Sequence, residues 1–411
     1  MNHKELLNKL EEYHTNTDDN VVGVGYGYKT INGIITDTKS IVFTVKQKIP
    51  KEKLTKDQLL PNKIEISNEM IPTDVIQDQF ETFCDSNFYL WQNTGYTVSN
   101  RGIFRPVKGG ISFTNRTSLG GFVGTLGFLA KDNNTNSIVG VSNNHVLVDD
   151  AFICSERSSS GILTNIKGDI STQPNESGTM GLQYKIGAVK KYQPIYESGY
   201  NLIDAALSTI SGSCVDSILS VNQEGLSFDG PFPFASTAEI DDILNNVSPY
   251  YNPLLYSAGR TTGAKGEDIT KLLVYQFPTV ASVAYNRQGI DVSIDYTDLI
   301  WFVATTGTTR PIEFVCPYPI WHGDSGSALI ADLNGTKKII GLVFAGSTYT
   351  GLACRIDHVK NLLNISEWNG ESINYSDADN ILEFTTDGLS NVESINYGGK
   401  VYYQVGCRVK V

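Results

Sequence analysis

Several things are scarce in this chain, and each scarcity excludes something. There is no basic cluster, and 32 Lys and Arg face 44 Asp and Glu for a net charge of −12. Nucleic acid and anionic membrane surfaces are therefore not expected partners. No apolar run approaches the roughly 18 residues that a membrane helix needs. The first residues, MNHKELLNKLEEYH, are charged and amphipathic and lack an apolar signal core, so a chain beginning at Met1 is expected to be cytoplasmic. Six cysteines (Cys84, Cys154, Cys214, Cys316, Cys354 and Cys407) form no C-x-x-C pair. That spacing supports neither a zinc site nor a disulfide framework and reads as buried thiols, with a Cys316–Cys354 bridge as the exception to check. The glycines of GVGYGY alternate as in a strand and do not open a helix, so no nucleotide cofactor is expected. No metal or other cofactor is expected either. Histidine is scarce too, with five copies.

What is present describes a packed, mainly β protein. Apolar residues make up 40% of the 411 residues, 38 are glycine, and Val, Ile, Thr and Tyr are frequent. The length exceeds one ordinary domain. Leu6, Leu7 and Leu10 predict a short amphipathic helix over 3–13. Val22, Val24, Tyr26 and Tyr28 alternate as a strand, Asn32-Gly33 signals a hairpin, and 36–45 is the returning strand. Pro50 to Leu60 reads as a second helix with Pro at its start. This α+β unit, residues 1–83, contains no nucleophile constellation. A polar linker follows at 84–108. From 109 the texture becomes short strands with glycine-rich bends, with a long polar loop at 155–181 and a mixed connection at 213–250. A second run of strands extends from 254, a helix is expected over 357–363, and a further hairpin lies in 363–411.

One stretch carries chemistry: Gly323-Asp324-Ser325-Gly326-Ser327. Glycines on both sides can hold a serine on a tight loop with its hydroxyl presented. The amides of Gly323 and Ser325 can then point at one spot and bind an oxyanion. A serine hydroxyl needs a base, ordinarily histidine near neutral pH. His3 and His14 belong to the N-terminal helix, His358 begins the closing helix, and His322 stands on the wrong side of the oxyanion turn. His145 is left, in Ser142-Asn143-Asn144-His145-Val146-Leu147 at the end of an apolar strand. The acid that would orient it is Asp204, embedded in NLIDAAL, where an unpartnered carboxylate would be costly to bury. Asp149, Asp150 and Asp169 sit in polar loops and are weaker candidates.

The chain order His145, Asp204, Ser325 is that of the chymotrypsin arrangement. With GGISF, GTLGFLA, SNNHVL, NLIDAAL, SAGRTTG and HGDSGSAL, the segment 109–362 resembles trypsin/chymotrypsin-like serine peptidases, in particular a bacterial branch with NNHVL and GRTTG forms. The N-terminal segment resembles the leader unit of those proteins. The resemblance implies a double six-stranded antiparallel β-barrel (barrels about 109–212 and 250–362) behind a small α+β unit, with a C-terminal β extension from 363 to 411. It implies endopeptidase activity on protein or peptide substrates through an acyl-enzyme, with an oxyanion site at Gly323 and Ser325. It places Pro319 at the base of the substrate pocket, near His322, with Phe344, Ala345 and Gly346 forming its wall. Pro319 is not Asp, so a small or apolar P1 residue is expected rather than Lys or Arg. In zymogen-type relatives the acid corresponding to Asp324 pairs with a newly released N-terminus, and no activation site is evident here. The N-terminal unit is left open as an inhibitory or folding prodomain, a substrate-recruiting module or a structural cap. Two other classes also stay open: a catalytically silent or latent binding protein on this scaffold, and an esterase using the same three residues.

Overall fold

The structure, a computed structural model, describes residues 2–82, 100, 102, 104, 106–115, 123–148, 170–173, 185–210, 219–244, 253–267, 271–287, 290–305, 312–313, 319–371 and four strands within 383–410. It is mainly β. In the second half, strands Leu254–Gly259, Ala328–Leu333, Thr336–Gly346, Thr350–Arg355, Ile290–Thr305 and Lys271–Arg287 follow one another by antiparallel pairing. Lys271–Arg287 pairs back onto Leu254–Gly259 and closes the ring. A closed six-stranded barrel results, which leaves no bare edge within the ring. Leu255, Leu272, Phe302, Ile330 and Leu342 on its strands are all 0% exposed.

In the first half, eight strands between Ile111–Asn115 and Ile365–Glu367 form one antiparallel sheet. Val107, Phe113, Leu126 and Ile186 make its own core. Phe128, Val139, Val141 and Leu207 instead join the large apolar cluster of the second half. The two halves therefore share packing along the seam where the candidate site lies.

The N-terminal unit is built on the second half. Helix His3–Asn16 is capped by the Asn2 side chain, which accepts from Lys4 N at 2.9 Å. The helix buries Leu6 and Leu10 against Val24, Phe43 and Val280. Strands Val21–Ile31 and Ile34–Val45 form a hairpin around Asn32-Gly33, both at positive φ, as an Asn-Gly turn requires. The first of these pairs antiparallel with Lys271–Arg287, with Val24 opposite Val280. One sheet thus runs from the N-terminal hairpin into the barrel wall. The segment expected as a helix at 50–60 is instead two 3₁₀ turns, Lys51–Lys53 and Lys56–Gln58. Neither buries a residue, so no packing holds a longer helix there.

The closing helix is Ile356–Leu363, ended by Asn364 in the left-handed region. The 213–250 connection contains strand Leu219–Gln223 and a short helix, Thr237–Asp241, with a Ser236–Glu239 capping box. Within 155–181, strand Ile170–Thr172 is described. The C-terminal stretch forms a four-stranded meander, Glu383–Thr386 to Arg408–Lys410. Among the described residues no helix is long and apolar enough to cross a membrane.

Candidate active site

His145 sits on a four-residue helix, Asn144–Leu147, directly after strand Ile138–Ser142. The two asparagines before it tie this turn down. Asn143 Nδ2 donates to the Asp204 carbonyl at 2.6 Å, and Asn144 Nδ2 donates to the Gln193 carbonyl at 2.5 Å. Asp204 is fully buried just before strand Ala206–Thr209. Its Oδ1 accepts from the His145 amide at 3.1 Å, and its Oδ2 pairs with His145 Nδ1. A carboxylate on Nδ1 keeps the proton there and turns Nε2 into the basic nitrogen. Oδ2 also accepts from the Tyr285 hydroxyl at 2.8 Å, and the Asp204 amide donates to Cys354 Sγ at 3.3 Å. Cys354 is a free thiol, so the bridge to Cys316 is not made, and Cys316 lies outside the described residues. Burial pushes the Cys354 thiol well up, with the nearby Asp204 charge acting in the same direction.

Ser325 lies on a loop fixed from several sides. Gly323 and Gly326 have φ of +97° and +94°, and a Cβ on Gly326 would lie 2.2 Å from the Thr125 carbonyl. Only glycine fits such a conformation and such an approach. Thr125 clamps the loop from the first half: its amide donates to the Ser325 carbonyl at 2.7 Å, and its hydroxyl donates to the Gly323 carbonyl at 2.8 Å. The amides of Asp324, Gly326 and Ser327 are committed to the carbonyls of Trp321, Val343 and Asp324. Those of Gly323 and Ser325 are the two that sequence assigns to an oxyanion. A Cβ placed on Gly124 would meet the Val146 side chain and the Ser325 carbonyl, both within 3 Å, so the histidine turn and the serine loop flank the same backbone.

Asp324 is fully buried. Its Oδ1 accepts from the amides of Thr261 and Thr262 at 2.8 and 3.1 Å, and its Oδ2 accepts from that of Trp321 at 2.8 Å. Two of its three main-chain donors thus come from the GRTTG loop. Burial raises the Asp324 pKa, and these donors offset part of the effect.

The remaining residues singled out from sequence are also placed. Pro319, Phe344, Ala345 and Gly346 are buried. The Ser325 hydroxyl donates to the Phe344 carbonyl at 3.2 Å. His322 points its Nε2 at Glu81 Oε1 at 3.7 Å, and its carbonyl accepts from the Thr261 hydroxyl. His3 and His358 both pair with Asp298, while His14 contacts Tyr200 and Ser282. Ser325 and Asp204 are 0% exposed and His145 is 1% exposed.

Two features have no counterpart in the sequence reading. The first is strand Phe80–Thr82. It pairs antiparallel with the end of Thr336–Gly346, with Thr82 opposite Ala345 and Glu81 opposite Gly346, and parallel with Lys271–Arg287. Asp78 anchors it by accepting from Ser347 Oγ and Thr350 Oγ1 at 2.9 and 3.2 Å, and the Phe80 ring meets Trp301 edge-on at 4.8 Å. The second is the Tyr285–Tyr296 pair behind Asp204. Neither feature leaves a local signal, because each depends on strands brought together from distant parts of the chain. Among the described residues no group of three or more His, Cys, Asp or Glu is arranged to hold a metal ion.

Comparison with known proteins finds likeness in structure. No protein-family model and no curated protein matches the chain by sequence. Among solved structures it is similar to Nocardiopsis protease at 15% identity and a TM-score of 0.37, covering 64% of this chain and 98% of that one. It is similar to Thermobifida fusca protease A at 11% identity and 0.36, covering 64% and 99%. It is also similar to a glutamic acid specific serine protease at 12% and 0.35, covering 64% and 100%. These neighbours are bacterial chymotrypsin-like serine proteases.

Proposed function

We propose that the chain is a serine endopeptidase that hydrolyses peptide bonds through Ser325, His145 and Asp204. The observation that carries this is the buried carboxylate of Asp204 on His145 Nδ1, beside the glycine-flanked serine loop. In the reaction Ser325 Oγ attacks the scissile carbonyl while His145 Nε2 takes its proton. The Gly323 and Ser325 amides hold the oxyanion. His145 then gives its proton to the leaving amine, and a water molecule repeats the sequence on the acyl-enzyme. A hydroxyl has one proton to give, so Ser325 must turn away from the Phe344 carbonyl before it can engage His145. A substrate would lie along Phe344–Gly346, with its P1 side chain toward Pro319. With Pro319 rather than Asp at that position, a small or apolar P1 residue is the preference expected.

The same edge explains the N-terminal unit. An extended peptide binds a sheet edge by main-chain hydrogen bonds, and Phe80–Thr82 already pairs there. The chain holds itself in a self-blocked state, with residues 1–82 as an inhibitory segment. The amides on Asp324 make insertion of a new terminus unnecessary, so release of this strand is the activating event. Fluorophosphonate labelling tests the reading. The expected result is slow labelling of the full chain, loss of labelling in Ser325→Ala, and cleavage after small or apolar residues in a peptide library. Labelling that survives Ser325→Ala would overturn it, and a library cut after Lys or Arg would overturn the pocket assignment.

A further inference from the structure

The carboxylate behind His145 is itself held by hydroxyls from a distant part of the fold. Strands Lys271–Arg287 and Ile290–Thr305 form a long antiparallel hairpin, whose outer half carries Tyr285 and Tyr296. Tyr296 lies opposite Ala281, four residues before Tyr285, so both rings stand on one face. Tyr285 OH donates to Asp204 Oδ2 at 2.8 Å and is hydrogen-bonded to Tyr296 OH. Because the single Tyr285 proton goes to Asp204, Tyr296 donates to Tyr285. The Tyr285 ring also meets the His145 imidazole edge-on at 6.1 Å, and the Tyr296 ring packs on Phe344 at 4.8 Å. Tyr285 is 3% exposed and Tyr296 is 0% exposed. Burial, then the charge of Asp204, pushes both phenols well above their ordinary range, so they remain donors across the working pH.

The same hairpin fixes the chain leading into Asp204. The Asn201 amide and its Nδ2 donate to the Asp295 carbonyl at 2.9 and 3.1 Å, and the Thr297 amide donates back to the Asn201 carbonyl at 3.0 Å. Among the described residues, His145, Tyr285, Tyr296 and Cys354 are ionisable groups that bond to or act on this carboxylate.

We propose that Tyr285, backed by Tyr296, is a positioning residue that orients the Asp204 carboxylate toward His145 and sets how strongly it holds the imidazolium. This rests on the triad reading above. A carboxylate oxygen that receives a phenolic proton spreads its charge over two donors. With that donor gone, Oδ2 holds the imidazolium more tightly and is free to swing.

The test is a proton NMR titration of the full-length chain, which does not need turnover, with fluorophosphonate labelling beside it. The readout is the low-field Nδ1 proton of His145, assigned by its loss in His145→Ala. In Tyr285→Phe the expected result is a displaced resonance, a His145 midpoint about one unit higher, and labelling about tenfold slower, the size of one lost charge-assisted hydrogen bond. Tyr296→Phe shifts the midpoint in the same direction by less, and it provides the test if Tyr285→Phe does not fold. A wild-type resonance and midpoint in a folded Tyr285→Phe chain would overturn the proposal while leaving the triad reading intact. If wild type shows no such resonance, or Ser325→Ala still labels, the triad reading itself fails and this proposal goes with it.

Discussion

At the scale of single residues, the serine loop is defined by where side chains are not allowed. A Cβ on Gly259 would lie 2.3 Å from Asp324 Oδ1, displacing the carboxylate from the Thr261 and Thr262 amides. Gly259→Ala is therefore expected to destabilise the fold by about 3 kcal/mol or more, because it crowds a buried carboxylate and would leave only Oδ2 with its Trp321 donor in place. Gly335, at φ +81° on the open turn after Leu333, has nothing within 4 Å of its would-be Cβ. Gly335→Ala carries only the left-handed backbone penalty, about 1 kcal/mol. Chemical denaturation of the two variants measures the contrast, and equal losses would show that the contact with Asp324 is not what fixes Gly259. The residues at this scale were the most legible ones. The scarcity of histidine and the apolar setting of Asp204 pointed at two side chains that the structure places in contact. Tyr285 and Tyr296 could not be read in the same way, since a phenol in an alternating strand looks alike whether its hydroxyl meets water or a distant carboxylate.

At the scale of elements, strand Phe80–Thr82 is only three residues long, which makes its hold adjustable. Phe80 is 2% exposed between Gly23 and Trp301, and Asp78 supplies the polar anchor. Phe80→Ala removes the larger of the two and is expected to cost the strand about 3 kcal/mol of docking energy. The fluorophosphonate labelling rate should then rise at least tenfold, and Asp78→Ala should raise it by a smaller factor. An unchanged rate in both would mean that the strand does not limit access. Elements with strong local signatures were legible: the helix of Leu6 and Leu10, the Asn32-Gly33 hairpin and the helix Ile356–Leu363. Their partners were not. Nothing near Val24 in sequence says that it will lie opposite Val280, because pairing between remote strands is settled by the fit of whole faces. The 50–60 stretch shows the converse: helical composition is insufficient where no apolar face finds a partner.

At the scale of the whole molecule, one buried ionic cluster fastens the N-terminal helix to the barrel. Asp298 pairs with His3, His358 and Arg355, and Arg355 also pairs with Asp357 and Asp241. Burial opposes the Asp298 charge, but the hydrogen bonds from His3 and His358 and the Arg355 guanidinium outweigh it and hold the carboxyl well below its ordinary range. The folded state thus binds this proton more weakly than the unfolded state does. The stabilisation is complete above the ordinary carboxylate value of about 3.9 and is lost as pH falls below it. Wild type should therefore lose thermal stability steadily from pH 4 downward. Asp298→Asn should be destabilised at neutral pH by about 3 kcal/mol, leave Arg355 short of a partner, and lose less on acidification. Identical acid profiles for the two would remove Asp298 from the account. A further consequence lies in the single sheet that joins the N-terminal hairpin to the barrel wall. Residues 1–82 cover the outer backbone of Lys271–Arg287 and the end of Thr336–Gly346. Stripped of that cover, both strands would present rows of unsatisfied amides and carbonyls, the kind of template on which other chains stack. A chain released from residues 1–82 would then be prone to self-association at high concentration, and an extended peptide laid along those edges would keep it dispersed.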